Sequence, residues 1–278
     1  MPVIQPDRLK QQAAELGQNI SDPRRFISQL DSLLNSYAER AIRPRIAGEP
    51  SALLEKYAVP PPVLRYILLA LGSFAEQDPA SALVLCDNLW QEPNLEYRTL
   101  AIGLLGLIPA SEINQILTRA KRWAQEESDR RLVLSVFEQG LAAVRKEHPG
   151  QLLELAQEWL QEPGSDRQRL GLQVLLTLAQ EPGYENLPVF YKILIPIVVQ
   201  IKSDLRPELL DIVLALARRS PRETTYFVQE ILQIPGCLSA GWLARQLLPH
   251  LPETVAPALR QALHAVSSQP TRPIPPHG

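Results

Sequence analysis

The stretch ALVLCDNLWQEPNLEYRTLAIGLLGLIP, residues 82–109, reads as two helices joined by a tight corner, and much of the chain is a series of variations on it. The first helix opens at Asp78-Pro79, where a carboxylate caps free backbone amides and Pro occupies a position that needs no N–H. Gln91-Glu92-Pro93-Asn94 ends it, because Pro cannot continue a helix and holds the residue before it extended. A second helix then spans 95–108 and is apolar almost all round, which suits an element covered on both sides. Gly103 and Gly106 each weaken that helix by about 1 kcal/mol, so close approach of another backbone is the expected compensation.

The pattern recurs. First helices are expected to open at Pro79, Ser111, Pro149, Pro188, Pro221 and Pro252, with steps of 31 to 39 residues, the period of stacked helix-pair repeats. Leu100, Ile102, Leu104, Leu105 and Ile108 of one second helix correspond to Leu170, Leu172, Val174, Leu175 and Leu178 of another. Trp90, Trp123 and Trp159 sit at three corners and are expected to fill the packing between pairs. One helix pair cannot bury its apolar face alone, and stacking gives it a neighbour, so the expected fold is all-α, a solenoid of antiparallel helix pairs.

Outward from this array, residues 1–58 are expected to form an N-terminal helical cap, 59–266 the helical repeats, and 267–278 a disordered Pro-rich tail. Ser21-Asp22-Pro23 caps a helix whose Phe26, Ile27, Leu30, Leu33, Leu34 and Tyr37 keep helical spacing. Arg40, Arg43 and Arg45 follow it, either as a solvated helix end or as a phosphate-binding edge. Arg218, Arg219 and Arg222 at the Ser220-Pro221 corner offer a similar choice. Pro196, inside an apolar helix, predicts a kink or an interruption.

Charge and special residues narrow the function classes. The 28 basic and 30 acidic residues give a net charge of −2, so no general field draws in nucleic acid or an anionic membrane, and only local patches remain. Cys86 and Cys237 lie far apart in apolar stretches and read as buried free thiols. His148, His250, His264 and His277 lack metal-ligand spacing, and no phosphate loop or nucleophile elbow is present, so neither metal nor cofactor is expected. The opening residues lack an export signal, and the apolar run 193–201 is too short to span a bilayer, so a cytoplasmic protein with no membrane partner is expected.

A family resemblance rests on Tyr57, Val59, Pro62, Leu64 and Arg65, then Leu89-Trp90, then Glu96, Arg98, Leu100 and Ala101. This constellation resembles the AlkD-type DNA alkylation repair family, most closely over 50–110. The resemblance implies a HEAT-like α-α superhelix that holds duplex DNA along a basic concave face and removes N3- or N7-alkylated purines. Cleaving relatives carry a Trp-Asp pair opening the second helix of the next repeat and a Trp-x-Arg-Arg in the repeat after it. Here the first position reads Glu127-Ser128-Asp129-Arg130-Arg131, with Asp129 but no Trp, and the second Ser165-Asp166-Arg167-Gln168-Arg169, with arginines but no aromatic.

Asp129 is therefore the candidate catalytic carboxylate, and Arg65, Arg98, Arg130, Arg131, Arg167 and Arg169 are the candidate binding residues. A carboxylate can stabilise a cationic sugar, whereas an absent aromatic removes the surface on which a base would stack. The alternative role for the same residues is structural: acidic or Asn corners followed by Arg recur at Asn94 with Arg98, Asp129 with Arg131, Asp166 with Arg169 and Asp204 with Arg206, as a ladder of caps and ion pairs between neighbouring repeats. Glu138, Gln139, Gln173, Asp211, Arg245 and Gln246 interrupt later second helices and give a mixed surface, which favours a protein or peptide partner along the concave face. The leading expectation is thus a non-catalytic interaction module. A DNA glycosylase acting on alkylated purines and a structural spacer are the alternatives, with duplex DNA the alternative partner.

Overall fold

The computed structural model describes residues 5–38 and 57–267, and every structural statement below concerns these. They are all-α: fifteen α-helices and no strand. In order these are α1 (Pro6–Gly17), α2 (Pro23–Tyr37), α3 (Pro61–Gln77), α4 (Pro79–Gln91), α5 (Leu95–Leu105), α6 (Ile113–Glu126), α7 (Arg130–Ser135), α8 (Ala142–Glu147), α9 (Pro149–Gln161), α10 (Ser165–Gln180), α11 (Pro188–Gln200), α12 (Arg206–Arg219), α13 (Pro221–Leu232), α14 (Leu238–Leu247) and α15 (Ala256–Ser267). The chain divides into two compact units, Met1–His148 and Pro149–Gly278.

In the first unit α2, α4 and α6 form one layer of neighbours. The helices α1, α3, α5 and the broken helix after Asp129 form the other. Each corner passes the chain between layers, and the core lies between them, with Phe26, Leu30, Ile67, Leu71, Leu85, Trp123 and Phe137 fully enclosed. The second unit repeats the plan: α11, α13 and α15 on one side, α10, α12 and α14 on the other, with α9 packed along α10. Its core includes Trp159, Phe190 and Phe227. Two-layer stacking follows from the sequence, because each helix carries an apolar stripe too wide for a single partner.

Helix starts obey their local chemistry. Asp22 accepts from the Arg25 amide at 3.1 Å, Asp78 from Ser81 at 3.0 Å and Asp129 from Arg131 at 2.9 Å. Such caps are worth about 1 kcal/mol each. Pro lies in the first turn of α1, α2, α3, α4, α11, α12 and α13, where its missing N–H costs no hydrogen bond.

Several boundaries differ from expectation. An additional helix, α1, packs along α3 through Leu9, Ala13 and Leu16. The helix expected from Pro252 begins at Ala256, because Pro252 opens a turn whose carbonyl accepts from Val255 and Ala256. The helix α11 continues through Pro196 without interruption. Cys86 is fully buried, but Cys237 is only half-buried. Arg40, Arg43, Arg45 and the tail beyond Ser267 lie outside the described residues.

The largest departure is in the last helix of the layer that α1, α3 and α5 begin, which splits into α7, a π-helical turn Val136–Gly140, and α8. A Cβ at Gly106 would lie 2.0 Å from the Gln139 carbonyl oxygen, so the end of α5 and this turn touch backbone to backbone. The approach expected from Gly106 is therefore present, and its partner is a widened turn. Arg145 steadies that turn by donating Nη1–H to the Phe137 carbonyl at 3.0 Å.

Candidate nucleic-acid interface

Five of the sequence-derived site residues belong to the first unit, and four of them gather at the corner between α6 and α7. Trp90, at the end of α4, stacks on Trp123 of α6, with ring centroids 4.5 Å apart and planes 8° apart. The Arg98 guanidinium lies 5.2 Å over the Trp90 ring and is ion-paired with Glu127. Glu127 uses its other oxygen to accept from the Asp129 amide at 2.8 Å, and Asp129 in turn caps α7 through the Arg131 amide. A continuous chain of contacts thus runs Trp123, Trp90, Arg98, Glu127, Asp129, Arg131.

The side chains of that chain differ in what they leave free. Arg98 is committed to Glu127, to the Trp90 face and, through Nε, to the Glu92 carbonyl at 3.4 Å. Arg130 and Arg131 are exposed, and Asp129 is half-buried beside them. The corner therefore presents two guanidinium groups and one carboxylate to solvent. Arg65 is separate from this cluster: it is exposed on α3 and lines a shallow depression with Pro61, Pro62, Tyr66 and Leu69.

Arg167 and Arg169 belong to the second unit, at the start of α10. Arg169 is 8 % exposed and acts as a hub. Its Nε donates to Glu208 at 2.7 Å, Nη1 to Asp166 at 3.3 Å, and Nη2 to the Asp204 carbonyl at 3.0 Å. Arg167 pairs with Glu162 at 3.3 Å, while its Nη1 is buried without a hydrogen-bond partner. Arg98 and Arg169 do equivalent work, each tying the start of a second-layer helix to the next corner. Charge-assisted bonds of this kind hold register as well as adding energy.

Aromatic surface is absent from both corners. Trp90 is 4 % exposed, Trp123 0 % and Trp159 1 %, so none offers a face on which a base could stack.

The motif residues of the first unit form a clasp around the entry to α3. Tyr57 donates its hydroxyl to Asp31 at 2.5 Å and lies 3.4 Å from the Tyr97 hydroxyl. Burial, then these hydrogen bonds, push the Tyr57 phenol far above its ordinary value. Ala58 takes a left-handed conformation, φ 54°, and its amide is held by Glu96 at 2.9 Å. Holding a non-glycine residue there costs of order 1 kcal/mol, which the Glu96 bond offsets.

Sequence reasoning missed Glu127 and Glu208, the acceptors that join one corner to the next. Their only signal was a carboxylate roughly one repeat beyond each arginine. Among the described residues no cluster of His, Cys, Asp or Glu could hold a metal ion, and no single helix is long and apolar enough to cross a membrane.

The comparisons with known proteins agree with the motif. No curated protein and no solved structure matches. Residues 30–195 match the family described as DNA alkylation repair enzyme, a span that contains the Tyr57 clasp, the corner between α6 and α7, and Arg167 and Arg169 but not their partners Asp204 and Glu208. The chain belongs to the DNA alkylation repair enzyme family.

Proposed function

We propose that this chain is a non-excising member of its family that binds the backbone of duplex DNA, with Arg130 and Arg131 at the start of α7 as principal contacts. The observation that carries the reading is the burial of Trp90, Trp123 and Trp159, which leaves Asp129 without an aromatic neighbour to hold a nucleotide. Arg130 and Arg131 are exposed side by side, two guanidinium groups that can meet phosphate oxygens. A net charge of −2 limits attraction to such local patches, so affinity is modest and few phosphates are neutralised.

A base-excising role is the second reading. It is favoured by the position of Asp129, which opens a second-layer helix as the aspartate of cleaving relatives does, and by the exposure of part of its carboxylate. In that role Asp129 would stabilise positive charge developing on the sugar.

Duplex binding across a salt series, together with release of N3- and N7-alkylated purines, separates the readings. The binding role gives a log–log salt slope of about −2 to −3, reduced by about 2 in Arg130→Ala/Arg131→Ala, with no base release. Base release that disappears in Asp129→Asn supports excision instead. Absence of duplex binding at low salt removes both and turns attention to a protein or peptide partner.

A further inference from the structure

The seam between neighbouring first-layer helices is treated differently in the two units. In the first unit, Asp87 of α4 pairs with Arg119 of α6 at 2.7 Å and also with Arg122, closing the seam. In the second unit, α9 and α11 stand apart around a half-open cleft of about 460 Å³, within the range of small-molecule sites. The chain leading into α11 is a seven-residue connection, 181–187, longer than the three-residue corner that joins α9 to α10. Leu160, Leu172, Ile193, Ile197 and Leu205 form the apolar wall, and four glutamines stand among the remaining lining residues. Lys192 is the only charged residue lining the cleft, and it makes no ion pair among the described residues.

We propose that this cleft binds a long-chain aliphatic carboxylate, its carboxylate at Lys192 and its tail along α11 toward Ile201. The cleft lining holds one cation and no carboxylate, which favours a single anionic group, while the far side of Lys192 borders a second depression with Arg222, Glu223 and Glu230. From Lys192 to Ile201 the helix rises about 14 Å, the length of an extended chain of about a dozen atoms. A methylene chain matches Leu160, Leu172, Ile193, Ile197 and Leu205, against which a peptide would lay polar amides, and the four glutamines stand among the remaining lining residues. Nucleic acid, with a charge at every nucleotide, finds only one cation here. This site does not rest on the DNA reading, although the cleft adjoins the second arginine corner through Gln161, Gln168 and Leu205.

The test uses the full chain and three probes of equal tail length below their micellar range: dodecanoate, 1-dodecanol and dodecyltrimethylammonium. Titration calorimetry is expected to show one dodecanoate per chain, bound about fivefold more tightly than dodecanol, as one partly solvated charge pair provides. Lys192→Gln is expected to remove that advantage and leave dodecanol unchanged. Ile197→Trp fills the cleft and is expected to abolish binding of all three. If Ile197→Trp does not fold, Gln161→Trp at the same cleft serves, with circular dichroism checking the fold. No saturable dodecanoate binding overturns the proposal, as does binding that survives the cleft-filling variant. Dodecyltrimethylammonium binding as tightly as dodecanoate overturns the assignment of Lys192. Binding to phosphatidylglycerol vesicles without binding to monomeric dodecanoate overturns it in favour of a membrane surface.

Discussion

Trp90 lies flat against Trp123, and Arg98 covers the outer side of the pair while reaching on to Glu127. The two indoles therefore serve the packing of α4 against α6. Trp123→Ala is expected to destabilise the chain by about 3–5 kcal/mol, as truncation of an enclosed aromatic does. Urea unfolding measures this. Saturating duplex DNA is expected to leave the accessibility of these indoles to acrylamide unchanged; strong protection on binding would show that a tryptophan meets the nucleic acid.

Arg98 and Glu127 are expected to couple by about 1–3 kcal/mol in a double-mutant cycle of Arg98→Met and Glu127→Gln. The single Arg98→Met change leaves a nearly buried carboxylate without its cation, so it is expected to cost more than the double change. A double variant that loses the sum of the two single costs would show that Arg98 and Glu127 do not interact.

Gly171 brings α10 against α9: a Cβ there would lie 2.8 Å from the Ala156 carbonyl oxygen and 2.8 Å from Leu160 Cγ. The oxygen is backbone and cannot swing aside. Gly171→Ala is expected to destabilise the second unit by about 1–3 kcal/mol despite the better helix propensity of Ala. A stability gain in thermal unfolding would show that the two helices can separate at no cost.

Two aspartates give stability opposite pH dependences. Hydrogen bonds from the Ser81 hydroxyl and amide hold the Asp78 carboxyl below the usual aspartate range. Its contribution is present above the ordinary value and is lost as pH falls through the lowered one. The deficit of Asp78→Ala is therefore expected to shrink in acid. Desolvation, then the charge of Glu208, raises the Asp211 carboxyl. The folded chain holds the proton longer than the unfolded chain, so stability falls as pH rises through the window above the ordinary aspartate value. Asp211→Asn is expected to stabilise at neutral pH and to have little effect below that window, as unfolding curves at several pH values would show.

The fold was legible because helix starts and stops are local chemistry. Asp78-Pro79 and Pro93-Asn94 mark a corner whatever surrounds them, and the spacing of Leu100 to Ile108 repeats seventy residues later. The π-helical turn was not legible, since it arises from contact between Gly106 and a segment more than thirty residues away. The arginine corners were half legible: the acid–arginine pattern marked them, and Arg169 does meet Asp166 and Asp204. Yet the decisive partners, Glu127 and Glu208, are chosen by how one pair stacks on the next. Periodicity marked Trp123 as a residue of the corner, but its complete enclosure depends on which helix lies opposite.

A π-helical turn holds one residue more than the α-helix it interrupts, so Val136–Gly140 stores a spare residue in the middle of a continuous element. Removing one residue there closes the wide turn to an ordinary one, and the residues beyond it keep roughly the facing they have relative to α7. A one-residue deletion is therefore better tolerated at this turn than within α5 or α10, where the same loss would rotate every later side chain of the helix by about 100°.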